Sequence, residues 1–288
     1  MNVSKNINLT AILAALLCAI MWGSNFVTVK LALVQLTPLF LTSIRLMFVS
    51  CFLIWFIKVP SRAALINLLW ISITFYTINF GLVNLGIMHT DAGLASIIIQ
   101  LEVPLATILG AIFLKEHISL RQAIGLIIAF VGVILVAYTP TISGHLTSIL
   151  LLLGGAVAYG VSILQVKQAR EVGALTLVVY CSLFGGLQLL LLSFLLEHNQ
   201  WHSLLQMNFT TEFSLITYIF MGTSAFLIWT RLIHIHYLNQ IMPFSLLVPV
   251  FAMVFGRIFL NEMITSQIIL GAVITILGIT LVTVSKQS

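Results

Sequence analysis

Apolar residues run along this chain in long stretches, and charged residues collect in short segments between them. No Asp, Glu, Lys or Arg lies between Lys5 and Lys30, between Arg62 and Asp91, or between Glu171 and Glu197. The longest such gap, Arg121 to Lys167, is long enough for two spans with a turn near Thr139 to Gly144. A helix of about 20 apolar residues crosses a bilayer, and backbone groups in lipid must find partners within their own segment. The runs are therefore predicted as membrane-spanning helices. They do not alternate with period two, as the strands of a transmembrane barrel would.

Ten spans fit, at 9–29, 38–57, 65–86, 91–113, 120–138, 146–167, 174–196, 212–235, 241–260 and 266–284, with one longer polar connection from Glu197 to Thr211. Pro38 and Pro243 are expected in first turns, where a missing N–H costs nothing. Thr90-Asp91 is expected to cap span four. Ser119 to Gln122 has capping-box spacing before span five. The first run lacks a small-residue cleavage site followed by a polar mature domain, so it is expected to be a retained span and not a signal peptide.

Composition sharpens this picture. The chain is 61% apolar and 7% charged, whereas a soluble domain is about 25% charged. That excludes an ordinary soluble enzyme, and the high hydrophobicity excludes disorder. The net charge of +5 does not imply a nucleic-acid partner, because the basic residues form no patch. They do imply an orientation. With the N-terminus inside, Lys5, Lys58, Arg62, Lys115, Arg121, Lys167, Arg170, Arg231 and Lys286 fall on the inner side, against Lys30 and Arg257 outside. Both termini are expected to be cytoplasmic, in a multi-pass membrane protein. Cys18, Cys51 and Cys181 each lie inside an apolar run and read as small buried hydrophobes.

The chain repeats itself. Shifted by 146, Gly110 to Glu116 falls on Gly256 to Glu262, and Gly125 and Gly132 fall on Gly271 and Gly278. Shifted by 137, Ala19 to Gly23 falls on Ala156 to Gly160, and Val29-Lys30 on Val166-Lys167. Five spans per half is an odd number, so the halves would enter the bilayer in opposite directions. The predicted fold class is an all-α integral membrane protein of ten transmembrane helices in two inverted five-helix repeats, residues 1–140 and 141–288. Inverted repeats mark secondary transporters, whose sites lie at the midplane between the halves.

Span four carries Gln100, Glu102 and Pro104, and span nine carries Ser245 and Pro249 at nearly the same depth. A mid-helix proline removes a backbone bond, and a matched pair of interrupted helices points to a binding site. Bending for packing alone is the other reading. Glu102 is the one carboxylate well inside a span and Arg45 the one comparable cation. Such a charge costs about 3 kcal/mol by insertion scales, so each must face protein or water. Glu102 reads either as a proton-titrating or amine-binding group, or as half of a static pair with Arg45 or a polar neighbour. Trp22 with Asn25, Tyr76 with Asn79, Tyr159 with Ser162, and Trp229 form polar-aromatic stripes that suit a small polar ligand or helix-to-helix hydrogen bonds. Gly125, Ala129 and Gly132, with Gly271 and Gly278, suit close packing of spans five and ten. Glu116 and Glu262 are expected in water at span ends, and His234 and His236 at the interface. No nucleophile–base pair, phosphate loop or metal-ligand spacing is present, so no catalysis, cofactor or metal is expected.

Trp22 to Lys30, Thr37 to Phe40 with Ile44 to Leu46, Gly93 to Ser96, Gly110 to Glu116 and Pro243 to Pro249 together resemble the EamA-type branch of the drug/metabolite transporter superfamily. Within it the chain is most similar to the O-acetylserine/cysteine exporter type. The resemblance covers nearly the whole chain. It implies ten helices in two inverted halves, a central cavity, and export of amino acids or related small metabolites. That exporter type favours Gln where Glu102 stands here, a departure that bears on substrate or coupling. The expected partners are a small-molecule substrate, membrane lipids and, if Glu102 titrates, protons, with the chain acting as a monomer or homodimer. Trp22, Asn25, Arg45, Tyr76, Asn79, Gln100, Tyr159, Trp229 and Ser245 are the expected substrate contacts. Glu102 is the expected coupling group, and Pro104 and Pro249 the expected hinges. A membrane-embedded enzyme or lipid-handling protein is the alternative, and would need a reactive constellation open to lipid.

Overall fold

The computed structural model describes residues 9–115, 117–138, 146–169, 172–236 and 238–283. Lys5, Glu116, the turn from Thr139, Arg170, Lys286 and the side chain of His234 lie outside the described residues. Among the described residues, ten helices are long and apolar enough to cross a membrane. They are span one Leu9–Ala32, span two Pro38–Phe56, span three Arg62–Met88, span four Ala92–Leu114, span five Leu120–Ala137, span six Leu146–Lys167, span seven Ala174–Leu196, span eight Phe209–Trp229, span nine Pro243–Leu260 and span ten Ser266–Thr283. The helix of span eight runs on to Ile235, and a short helix, Gln200–Leu205, lies in the connection before it. Large apolar side chains such as Phe113, Ile127, Phe213 and Phe259 stand exposed around the outside, as a surface solvated by lipid requires.

The elements recur at a fixed interval. Ala92–Ile99, Glu102–Leu114 and Leu120–Ala137 return 146 residues later as Leu238–Ser245, Val248–Leu260 and Ser266–Thr283. The left-handed residue that ends span four, Lys115 at φ 55°, returns as Asn261 at φ 56°. Packing follows the same rule. Adding five to each span number turns the observed contacts of one with eight and one with nine into six with three and six with four, which are also observed. The pairs two–seven and five–ten map onto themselves.

Small residues set the closest approaches. A Cβ on Gly23 of span one would lie 3.0 Å from the backbone nitrogen of Ala252 in span nine. The matching crossing puts a Cβ on Gly160 of span six 3.2 Å from the backbone nitrogen of Ala106 in span four. Spans five and ten meet backbone to backbone at Gly125, Gly132, Gly271 and Gly278, as expected of the small-residue face.

The connections after spans one, three, seven and nine gather at one end. Lys30 reaches Glu262 at 2.9 Å and Asp91 at 3.5 Å. Glu197, at the end of span seven, accepts from the hydroxyl of Thr37 and the N–H groups of Leu39 and Phe40, capping span two. Gln35 bonds the backbone of Gln206 and Asn208.

Several local expectations change. The capping box at Ser119 and Gln122 forms, and Pro38 opens its helix. Asp91 sits at the cap position of span four but makes no capping bond. Glu262 does that work across the fold, accepting from the N–H groups of Ala92 and Gly93. It is therefore buried, not in water. Pro243 lies inside the helix Leu238–Ser245, not in a first turn. His236, at the end of the helix Phe209–Ile235, is buried within the protein. Cys18 and Cys181 are buried as expected, whereas Cys51 is exposed, because its side of span two faces outward.

Candidate functional site

Both interrupted helices break in register. Span four leaves regular helix at Gln100 and Leu101 and resumes at Glu102; span nine does so at Leu246 and Leu247 and resumes at Val248. Pro104 and Pro249 stand in the first turns of the resumed segments. The expected interruption is present in both spans; regular helix stops before each proline, so the absent N–H leaves no bond broken. At the break the side-chain amide of Gln100 approaches the carbonyl of Ser245 at 3.5 Å, so the two halves touch there.

Span three contributes the second local irregularity. Its backbone widens into π-type turns over Ile73–Phe80, a geometry often found at functional sites. Side-chain bonds hold the widened segment to its neighbours: Thr74 to Gln165 of span six, and Thr77 to Gln188 of span seven. The segment presents Phe75, Tyr76, Asn79 and Phe80 together. The Asn79 amide donates to a Glu102 carboxylate oxygen at 3.1 Å and to the carbonyl of Gly155 at 2.9 Å. Glu102 is thus tied to a polar neighbour, and Arg45 is not its partner. Tyr76 stacks on Phe80 with centroids 5.5 Å apart, and Tyr159 tilts onto Phe75 at 5.7 Å.

Arg45 also lies against Phe80. Its guanidinium lies 5.4 Å from the Phe80 ring centre and 4.3 Å from that of Tyr218 in span eight. These are cation–π contacts. The amide of Asn84 donates to the Tyr218 hydroxyl and to Thr42, fixing that ring. Asn25 comes close through Gly222: a Cβ there would meet the Arg45 guanidinium, and would be 2.9 Å from Asn25 Nδ2. The Asn25 amide oxygen is buried without a hydrogen-bond partner. Trp22 and Trp229 meet edge to face at 5.0 Å.

The expected residues thus fall into neighbouring groups: Trp22 with Trp229, Asn25 with Arg45, Tyr76 and Tyr159 around Phe75, Asn79 with Glu102, and Gln100 with Ser245. Phe75, Phe80, Tyr218 and Gly222 were not singled out in the sequence. An arginine inside a span needs an acid or a ring beside it, and that rule could have directed attention to Phe80 and Tyr218. Chemically, the groups offer one carboxylate, one guanidinium, several amides and aromatic faces. That set suits recognition of a small polar solute.

Comparison with known proteins shows the family and the fold. A model of the EamA-like transporter family matches the chain twice, over residues 9–138 and 146–284. A protein described as a probable amino-acid metabolite efflux pump, from Salmonella typhimurium, is 30% identical over 277 residues, covering 92% of each chain. A protein of the same description from Escherichia coli is 28% identical over 277 residues, again 92% of each. A solved crystal structure with 13% sequence identity superposes at a TM-score of 0.65, covering 96% of this chain and 97% of that one, which supports the fold alone. With the family's unit matched in both halves of a ten-span helical protein, the chain belongs to the EamA-like transporter family.

Proposed function

We propose that this protein is a secondary transporter of the bacterial inner membrane. It exports small polar metabolites, amino acids or their derivatives, by alternating access of two inverted five-span halves, 1–140 and 141–288. The observation that carries this reading is the pair of helix breaks in spans four and nine, 146 residues apart, meeting at Gln100 and Ser245. Breaks of this kind, one per half, are where transporters of repeated architecture hold their substrates. The efflux-pump description of the two relatives supports export of amino-acid metabolites. The charge distribution supports cytoplasmic termini: Lys58, Arg62, Lys115, Arg121 and Lys167 lie at the end away from Lys30 and Glu262.

In this mechanism the solute enters from the cytoplasm and contacts Trp22, Asn25, Arg45, Tyr76, Asn79, Gln100, Tyr159, Trp229 and Ser245. Pro104 and Pro249 stand in the first turns of the helical segments that tilt about the breaks as the halves rock. Glu102 exchanges a proton with one side while empty and the other while loaded. Its bond from Asn79 lies on the widened part of span three, so protonation would change how spans three and four are joined.

Reconstitution tests this. Proteoliposomes are loaded with a panel of amino acids, amines and acetylated amino acids, and a proton gradient is imposed. At least one member should move faster when the side corresponding to the cell exterior is made acidic. Glu102→Gln should keep the protein folded and remove that acceleration. Unchanged pH dependence in Glu102→Gln would reduce the residue to a structural partner of Asn79.

A further inference from the structure

We propose that Arg45 and Asn25 form a carboxylate-binding pole, so that the solutes this protein carries are those with a free carboxylate. The inference rests on the exporter reading and names its substrate class.

Arg45 is a cation inside a membrane span with no anion beside it among the described residues. The ion pairs among the described residues join Lys30 to Asp91 and Glu262, at the end of the molecule. The rings of Phe80 and Tyr218 stabilise the positive charge, but a ring face gives the in-plane N–H groups no acceptor. A guanidinium has five such donors in a fixed fork that matches a carboxylate. An unpaired, partly desolvated charge is costly to keep, which favours an anion arriving from outside the protein.

Asn25 supplies an independent sign. It is 8% exposed, and its amide oxygen has no partner. Gly222 lies against both groups, and its lack of a side chain lets the guanidinium and the Asn25 amide N–H converge on one point, where a Cβ would clash with them. A carboxylate that reaches this pair accepts from the guanidinium and from the Asn25 amide N–H. The Asn25 oxygen is then available to an N–H or O–H of the same solute. On span three, Phe80 at the guanidinium is next to Asn79 at Glu102. The two charges are therefore approached by adjacent residues of one segment.

The full-length protein in proteoliposomes is assayed with L-phenylalanine, L-leucine and L-cysteine against phenethylamine, leucinamide and cysteamine, which lack the free carboxylate. Wild type should move at least one acid about tenfold or more faster than its counterpart, the discrimination of one charge-assisted contact. Arg45→Gln should bring that ratio close to one by raising KM for the acid, with Arg45→Lys between. Gly222→Ala keeps both polar groups but sets a Cβ against them, and should raise KM for the acid with kcat little changed. Equal transport of acids and carboxylate-free partners by wild type would overturn the inference and leave export standing. So would a monodisperse Arg45→Gln that keeps the preference, or, if Arg45→Gln does not fold, an unchanged KM in Gly222→Ala. If wild type moves no member, the exporter reading itself fails and the pole with it.

Discussion

Gly132→Leu is expected to separate spans five and ten and to cost about 3 kcal/mol or more in stability, the upper end for overpacking a tight contact. A Cβ at Gly132 would stand 2.5 Å from the backbone nitrogen of Thr275 and 2.8 Å from the carbonyl oxygen of Gly271. Those are backbone atoms, so no side-chain rotation relieves the clash. The helices must move apart along a contact that also involves Gly125 against Gly278. Nothing hydrophobic drives helices together in lipid, so their association depends on such close packing. Gly173→Ala is the control. Its Cβ would meet only the Thr176 hydroxyl oxygen, at 3.9 Å, and the change should be nearly neutral. Thermal unfolding of the two variants in detergent reads the difference. Equal transition temperatures would mean that spans five and ten do not pack as described.

Glu262→Ala should cost a comparable amount, about 3–5 kcal/mol, the usual penalty for removing one partner of a buried ion pair. The Glu262 carboxylate accepts from Lys30 Nζ at 2.9 Å, from the Ala92 N–H at 2.8 Å and from the Gly93 N–H at 3.4 Å. It thereby ties the end of span one and the start of span four to the turn after span nine. Deleting it leaves two buried N–H groups and a half-buried ammonium without an acceptor. Glu262→Gln keeps an acceptor for the N–H groups and should cost less. Asp91→Asn should cost at most about 1 kcal/mol, since Asp91 is more exposed and sits 3.5 Å from Lys30. Stability measured across the three variants checks this order. An Asp91→Asn loss as large as that of Glu262→Ala would contradict the assignment of the cap to Glu262. Because that tie gathers the connections after spans one, three and nine at one end of the molecule, Glu262→Ala should also raise leak through a reconstituted protein.

The spans were legible because lipid imposes one dominant rule: length and hydrophobicity select helices. The predicted 174–196 and 146–167 agree with Ala174–Leu196 and Leu146–Lys167. The repeat was legible because Gly, Phe, Leu and Glu recur at a fixed interval, and the helix bounds recur at that same interval. Three features were not legible. Glu262 follows the end of an apolar run, which alone places it in water; only the tertiary fold tucks the turn after span nine under span four. The widening of span three leaves no mark in an apolar pattern, since Thr74 and Thr77 read as ordinary helix residues until Gln165 and Gln188 are seen beside them. The prolines pointed to the interruptions in spans four and nine but not to where regular helix stops and resumes, because a proline in a first turn and one in mid-helix differ only in where the helix begins. Glu102 and Arg45 were identified as the charges to explain. Their partners, Asn79 for one and the rings of Phe80 and Tyr218 for the other, depend on how spans two, three, four and eight assemble.

Side-dependent labelling of a thiol at the junction of the two breaks is the most direct test of the carrier reading. Cys18, Cys51 and Cys181 are replaced by alanine and Ser245 by cysteine, and a membrane-impermeant methanethiosulfonate is added to intact cells and, separately, to inverted vesicles. The predicted result is modification of position 245 from both faces of the membrane, slowed from either face by a transported amino acid. Modification from one face only under every condition, or none at all, would contradict alternating access to this site.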